Sequence, residues 1–435
     1  MSTTTPEVRQ RRSVVGAFAG TAIEWYDFYI FGTAAALVFG KVFYPEIDPA
    51  AALMASFATF WVGFLARPIG GIVFGHFGDK FGRKNTLVVT LVLMGAATTL
   101  IGLLPGYAQI GIAAPIILII LRACQGLAVG GEWGGAVLLA TENAKEGKKG
   151  SAGAWVQQGS PAGSIMATLI FLLVGQLPNE AFLSWGWRIP FLLSAVLVIV
   201  GLIIRLKVEE SEDFVKAKES KQVVKVPLVE VFRYSPSLVF FGVFASVLGI
   251  SIAYFTNTFL LAWTTGELGI DRQIMLNVLL GTAVLQFIWQ PIAARIAEKT
   301  SAMKVMIGGL LLNLVLTIPF FAAIQSASVP LIAIMLGLTI IGGTAYYAML
   351  ATFLASAFPA KVRYTGVSAA YQICATIFGG STPLLAQGIL TASGGNAFAV
   401  AALYGGFVII TILGVLGLNS RIKSRAAKEQ ETIAA

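Results

Sequence analysis

Two carboxylates stand in the middle of an apolar run, Gly20-Thr-Ala-Ile-Glu24-Trp25-Tyr26-Asp27-Phe28-Tyr29. A spacing of three puts Glu24 and Asp27 on one face of a helix. A charge of opposite sign is embedded in a second such run, Arg122-Ala-Cys-Gln125-Gly126-Leu-Ala-Val-Gly130-Gly131-Glu132-Trp133. At helical pitch Arg122, Gln125, Val129, Glu132 and Trp133 share a stripe roughly 100° wide, so that helix has one polar face. An arginine stays protonated, whereas a carboxylate takes up a proton when desolvated and releases it when paired. The chemistry on offer is reversible protonation. Asp27 is the expected carrier, with Glu24 as its substitute or as a coupled partner. Arg122 is the counter-ion of Asp27 or of an anionic ligand.

The elements that position these groups are membrane-spanning helices. The chain has 435 residues, 57% hydrophobic and 12% charged, with 47 glycines and 29 phenylalanines. Apolar runs long enough to cross a hydrocarbon core of about 30 Å recur along its length. Twelve are expected, at 13–40, 52–76, 85–104, 113–141, 151–176 and 187–206, then 237–262, 273–294, 304–325, 329–356, 364–390 and 396–418. The fold class is therefore an all-α membrane protein of two six-helix bundles. Residues 1–12 form an N-tail, 13–206 the first bundle, 207–236 a charged linker, 237–418 the second bundle and 419–435 a C-tail. The run after the N-tail has no small-residue cleavage site and is expected to be a retained span.

A net charge of +9 does not mark a nucleic-acid binder, because the basic residues fall between apolar runs. Of the 30 lysines and arginines, all but Lys41, Arg67, Arg122, Arg188 and Arg272 lie on the side that holds both termini. The positive-inside rule makes that side cytoplasmic. An unpaired charge near the midplane costs about 2.5–3.5 kcal/mol, so Asp27 and Arg122 are expected to face each other or a water-filled cavity. Arg67 and Glu132 stand nearer the cytoplasmic ends, where a structural or gating role is expected. His76, at a helix end, reads as interfacial.

A faint repeat relates the halves: Arg67-Pro68-Ile69 recurs as Gln290-Pro291-Ile292, and Gly150...Ala154-Trp155 recurs as Gly366...Ala370-Tyr371. Repeated bundles place a substrate site at the midplane between them. The second half has few charges within its spans but carries Tyr254, Asn257, Gln286, Gln290, Asn313, Tyr346, Tyr347, Tyr371 and Gln372. Tyr254, Asn257, Gln286, Tyr346 and Tyr371, with Trp25, Tyr26, Arg122, Gln125, Trp133 and Gln157 from the first half, are the expected substrate contacts. One arginine with many amides and phenols suits a ligand with one carboxylate and several hydroxyls. Pro161 between Gly159 and Gly163, and Pro383 after Gly379 and Gly380, are expected to bend spans 5 and 11.

Enzyme classes are excluded on the residues present. The glycine-rich stretch around Gly130 follows no strand and lacks a Gly-Lys-Ser/Thr ending. Cys124 and Cys374 show no paired spacing, so neither a disulfide nor a metal site is expected. No cofactor is expected.

The segment Gly75-His76-Phe77-Gly78-Asp79-Lys80-Phe81-Gly82-Arg83-Lys84 reads as a short turn between spans 2 and 3 and resembles the signature loop of the major facilitator superfamily. Glu24-Trp25-Tyr26-Asp27-Phe28, Arg67-Pro68-Ile69-Gly70-Gly71, Gly130-Gly131-Glu132-Trp133-Gly134, Trp185-Gly186-Trp187-Arg188-Ile189-Pro190 and Val362-Arg363-Tyr364-Thr365-Gly366 add to this. Together they resemble its metabolite:proton symporter branch from about Gly16 to Leu418. The resemblance implies a cytoplasmic gate at Asp79, Arg83 and Lys84, a monomer in a bacterial inner membrane, and import of a small organic anion with protons by alternating access. Phe74-Gly75-His76-Phe77-Gly78-Asp79 and Glu132-Trp133-Gly134-Gly135-Ala136 look most like the members that carry shikimate. Members for 2-oxoglutarate, citrate or proline and betaine tend to have Tyr where Trp133 stands. The alternatives are those substrates, a proton-coupled antiporter exporting amphipathic compounds, and a non-transporting nutrient sensor.

Overall fold

The structure, a computed structural model, describes residues 6–81, 83–130, 157–206, 236–359 and 363–434. In hydrocarbon every backbone polar group needs an internal partner, and helices meet that demand within one segment. The described chain is accordingly helical throughout, with no strand. The first bundle holds α1 (Pro6–Ala34, prolonged by a π-turn Ala35–Phe39 and Gly40–Phe43), α2 (Pro49–Phe81), α3 (Arg83–Leu103), α4 (Ala113–Gly130), α5 (Gly159–Val174) and α6 (Arg188–Leu206). The second holds α7 (Pro236–Tyr254, prolonged by a π-turn Phe255–Leu260 and Leu261–Gly266), α8 (Arg272–Lys299), α9 (Ala302–Gln325), α10 (Val329–Ala357), α11 (Arg363–Cys374) and α12 (Ala397–Ala434). After α11 come a π-turn, Ala375–Gly379, and a further helix, Thr382–Ala392. Among the described residues eleven segments are long and apolar enough to cross a membrane, and α5 is a shorter apolar helix where the fifth span is expected.

Packing follows the same plan in both bundles. In the first, α1 lies on α5, α2 on α4, and α3 on α4 and α6. In the second, α7 lies on α11, α8 on α10, and α9 on α10 and α12. The side chains exposed on the perimeter are apolar, among them Ile116, Ile120, Leu173 and Val315. The charges within the spans turn inward: Glu24, Asp27, Arg67 and Arg122 are all buried.

The repeated prolines explain how the bundles touch. A proline inside a helix leaves the carbonyl four residues earlier without its donor. Pro68 in α2 frees the Phe64 carbonyl, which accepts from Thr376 Oγ1 of the π-turn after α11 at 3.0 Å. Pro291 in α8 frees the Phe287 carbonyl, which accepts from Gln158 Nε2 at the start of α5 at 3.1 Å. Each bundle thus offers the other a carbonyl that its own proline has freed.

Two expectations change. The segment 75–84, read as a short turn, is helical to Phe81 and again from Arg83. Gly75 and Gly78 each cost a helix only about 1 kcal/mol, too little to stop a helix 33 residues long. The C-tail also continues α12 as helix to Ala434 instead of leaving it after Leu418.

Glycine makes the α2–α4 contact possible. A side chain on Gly126 would meet the Gly63 carbonyl, one on Gly70 the Leu127 carbonyl, and one on Gly130 the Arg67 carbonyl. Backbones this close are the membrane form of small-residue packing. Gly126→Val is therefore expected to cost about 1–3 kcal/mol and to lower the melting temperature in detergent. Gly281→Ala on α8, where nothing lies within 4 Å of the added atom, is the control and should not. Equal melting temperatures for the two variants would refute the close contact.

Candidate functional site

The site is built on α1, whose face with Glu24, Asp27 and Phe28 turns into the first bundle. Asp27 is 1% exposed. Its Oδ1 accepts from Ser194 Oγ of α6 at 2.7 Å and its Oδ2 from Thr98 Oγ1 of α3 at 2.9 Å. Thr98 Oγ1 in turn accepts from Gln125 Nε2 at 2.7 Å, and Gln125 Oε1 accepts from Arg122 Nη1 at 3.1 Å. Arg122 and Asp27 are thus joined through Gln125 and Thr98 rather than by the direct pairing expected. The reason is packing: Arg122 is 0% exposed, and its guanidinium carbon lies 4.4, 4.1 and 4.9 Å from the ring centres of Phe28, Phe31 and Phe60. Its Nε donates to the Phe60 carbonyl at 3.3 Å. The aromatic cage holds the charge, and an amide and a hydroxyl carry its influence to the acid.

Thr98 has one hydroxyl hydrogen and two acceptors at 2.9 Å, Asp27 Oδ2 and the Met94 carbonyl. An ionised Asp27 only accepts, whereas a protonated one has a hydrogen of its own to give. Protonation of Asp27 Oδ2 thus favours the Thr98 hydroxyl turning to the Met94 carbonyl.

Arg67 of α2 is placed differently. It is 6% exposed, and its guanidinium carbon lies 4.3 Å from the rings of both Phe28 and Phe64. Among the described residues it has neither an ion pair nor a hydrogen bond, and its Nε is buried and orphaned. Ring contacts return about 0.5–2 kcal/mol, against about 2.5–3.5 kcal/mol for a charge at membrane depth. The aromatic contacts therefore leave this cation only partly compensated.

Between the bundles lies a narrow, partly open cleft. Ser160, Ser164 and Trp25 line it from the first bundle, and Asn257, Gln286 and Tyr347 are among its lining residues from the second. Among the described residues its wall carries no charged side chain. Trp25 stacks on Tyr254 at 6.1 Å, and Tyr347 approaches the Tyr371 hydroxyl at 3.4 Å.

Of the expected substrate contacts, Trp25, Asn257 and Gln286 line the cleft, and Tyr254 and Tyr371 border it through Trp25 and Tyr347. Tyr26 and Tyr346 do not: their hydroxyls are bound to the carbonyls of Pro190 and Ala245. Tyr347, the neighbour of Tyr346, takes the cleft position. Gln125 and Arg122 belong to the Asp27 network, and Gln157 is half-buried at the start of α5 outside the cleft lining. Trp133 and Glu132 lie outside the described residues; Asp79 ends α2, and Arg83 and Lys84 open α3, with side chains that are not described. Thr98, Ser194 and the four phenylalanines were not anticipated. The spacings Phe28 to Phe31 and Phe60 to Phe64 carry the helical signal that would have found the cage; nothing marks Thr98 or Ser194 among the many hydroxyls of apolar helices.

On the side opposite the termini the two bundles are bridged by hydrogen bonds. Arg272, at the start of α8, donates to the carbonyls of Gly175 at 2.9 Å and Leu177 at 2.8 Å, and to Asn179 Oδ1 at 3.0 Å. Gln273 Nε2 donates to the Leu172 carbonyl at 3.2 Å. These bonds satisfy the last carbonyls of α5 from the other bundle.

Two bundles of the same internal plan, each presenting polar side chains to a shared midplane cleft, define a membrane carrier for small molecules. Comparison with known proteins agrees. Residues 13–226 match the family described as sugar (and other) transporter. The shikimate transporter of Escherichia coli K12 is 38% identical over 423 residues, covering 95% of each chain. The inner membrane metabolite transport protein YhjE of the same strain is 39% identical over 420 residues, covering 94% of each. A crystal structure of a D-xylose-proton symporter superposes with a TM-score of 0.74 at 16% identity, covering 94% of this chain and 97% of that one. The chain belongs to the major facilitator superfamily, within its metabolite transporters, and is a carrier rather than an enzyme.

Removing the clamp on α5 should loosen the bridged side. Each hydrogen bond contributes about 1 kcal/mol and tenfold in population is about 1.4 kcal/mol, so Arg272→Ala, which removes the bonds to Gly175, Leu177 and Asn179, should raise the maleimide labelling rate of Leu172→Cys on the order of a hundredfold. The background replaces Cys124 and Cys374 by serine. An unchanged rate would show that these bonds do not hold the bundles together.

Proposed function

We propose that this chain is a proton-coupled symporter that imports a small organic acid, shikimate or a related hydroxylated monocarboxylate, across a bacterial inner membrane. It works by alternating access with twelve helices, both termini in the cytoplasm, as a monomer in the bilayer and without a cofactor. The observation that carries this reading is the buried Asp27 and its relay through Thr98 and Gln125 to Arg122. Ionised, Asp27 accepts from Thr98 and Ser194 and holds the relay polarised toward Arg122. Protonated, it accepts more weakly, which favours the Thr98 hydrogen on the Met94 carbonyl and weakens the link between α1, α3 and α4. A proton then changes the energies of the two bundle orientations unequally, which is what coupling requires.

The cleft supports the substrate class. Its hydroxyls and amides suit several ligand hydroxyls, and its uncharged lining is unsuited to a tricarboxylate. Similarity to a transporter named for shikimate points the same way.

Uptake of labelled shikimate into proteoliposomes tests the proposal. With one proton per anion, a pH step of one unit sustains about tenfold accumulation, since one unit is 1.36 kcal/mol. Asp27→Asn is expected to abolish accumulation while shikimate exchange survives. Accumulation by Asp27→Asn would move the proton site to Glu24. Entry of a competitor acid but not of shikimate would overturn the substrate.

A further inference from the structure

The proposed cargo is an anion, and on that reading we propose that Arg67 is the seat of its carboxylate, with the Tyr254 hydroxyl as second donor. Arg67 and Arg122 offer a comparison within one molecule. Both guanidiniums rest on Phe28, at 4.3 and 4.4 Å from its centre. Arg122 has spent its Nε on the Phe60 carbonyl and its Nη1 on Gln125, which leaves Nη2 as its one buried nitrogen without a partner. Arg67, among the described residues, has spent no donor, and its Nε is buried without a partner. A guanidinium with its donors free is a fork for one carboxylate.

A second orphan stands next to it. The Tyr254 hydroxyl is buried with no partner. Its ring meets Phe64, which carries Arg67, and Phe60 edge-on at 5.0 and 5.4 Å, and Trp25, stacked on it, lines the cleft. Trp25 and Tyr254 therefore lie between the cleft and Arg67, and a ligand whose hydroxyls occupy the cleft reaches Arg67 past them. The internal repeat supplies an independent argument. Gln290 stands where Arg67 stands in the other half, and both its side-chain polar atoms are likewise buried and unpartnered. One seat is cationic and the other neutral, so a ligand with a single charge is held in one orientation, acid end toward the first bundle.

The test is exchange across proteoliposomes without a proton gradient, using labelled shikimate and, in parallel, labelled 2-oxoglutarate and citrate, with shikimate methyl ester as an uncharged competitor. Against whichever acid the native chain exchanges, Arg67→Gln should raise the half-saturating concentration at least about tenfold and leave the maximal rate near native. It should also erase the preference for acid over ester. Arg67→Lys should restore part of that preference, and Tyr254→Phe should raise half-saturation without altering it. These last two, milder variants decide the matter if Arg67→Gln does not fold. Native half-saturation and native preference in the Arg67 and Tyr254 variants would overturn the anchor and leave the symporter reading standing. No exchange of any acid by the native chain would remove both.

Discussion

A helix in hydrocarbon has no water to fall back on, so the carbonyl that a proline strips of its donor must find one elsewhere. This chain uses that demand twice. Pro68 and Pro291 occupy matching places in α2 and α8, and the carbonyls they free, of Phe64 and Phe287, are where the opposite bundle docks through Thr376 and Gln158. At Thr376 the bond is reinforced by Trp61 Nε1, which donates to the Thr376 carbonyl at 2.7 Å, and each such hydrogen bond contributes only about 1 kcal/mol. That strength suits two bodies that must part and meet again. The tight contacts, backbone against backbone at Gly63 and Gly126 or at Gly309 and Gly342, lie within bundles. Rigid interiors and a weak seam follow from where glycine and proline fall.

The same accounting separates the two buried arginines. Arg122 is enclosed by phenylalanine rings and bound at two of its nitrogens, so its charge is held within one bundle. Arg67, one bundle face away, shares the Phe28 and Phe64 rings but among the described residues has no acceptor. A buried cation without an acceptor is destabilising unless something fills its place part of the time. For a carrier, the cargo is a partner that is present in some states and absent in others.

Much of this was legible in the sequence. Span positions, the inward carboxylates and the two-bundle plan follow from hydropathy and from the rarity of charge in apolar helices, which are signals that average over many residues. The repeat of Arg67-Pro68-Ile69 as Gln290-Pro291-Ile292 looked weak as a pattern, yet it marks the pair of docking carbonyls. What was missed depends on rotation about a single helix. Tyr346 and Tyr347 are adjacent and chemically alike, but about 100° of helical rotation sends one into Ala245 and the other into the cleft. Thr98 and Ser194 resemble every other hydroxyl that bonds its own helix, and only the approach of α1 turns them into partners of Asp27. The segment 75–84 looked like a turn because charges and glycines mark both turns and helix ends at a membrane surface.

Superposition on a D-xylose-proton symporter at 16% identity fixes the architecture and no more, because one fold hosts many cargoes. The site must supply the rest, and in the symport proposed above the anion and the proton would both act through one side chain. Phe28 follows Asp27 in α1, and its ring lies against both guanidiniums. An anion arriving at Arg67 draws that cation toward itself and off the ring it shares with Arg122. Arg122, tied through Gln125 and Thr98 to Asp27, then feels both the new negative charge and a change in its cage. Reciprocity requires that a proton on Asp27 alter the affinity for the anion by the same factor that the anion alters the affinity for the proton. In the proposed symport, one aromatic ring between two cations would be a short path for substrate and proton to sense each other within a single bundle.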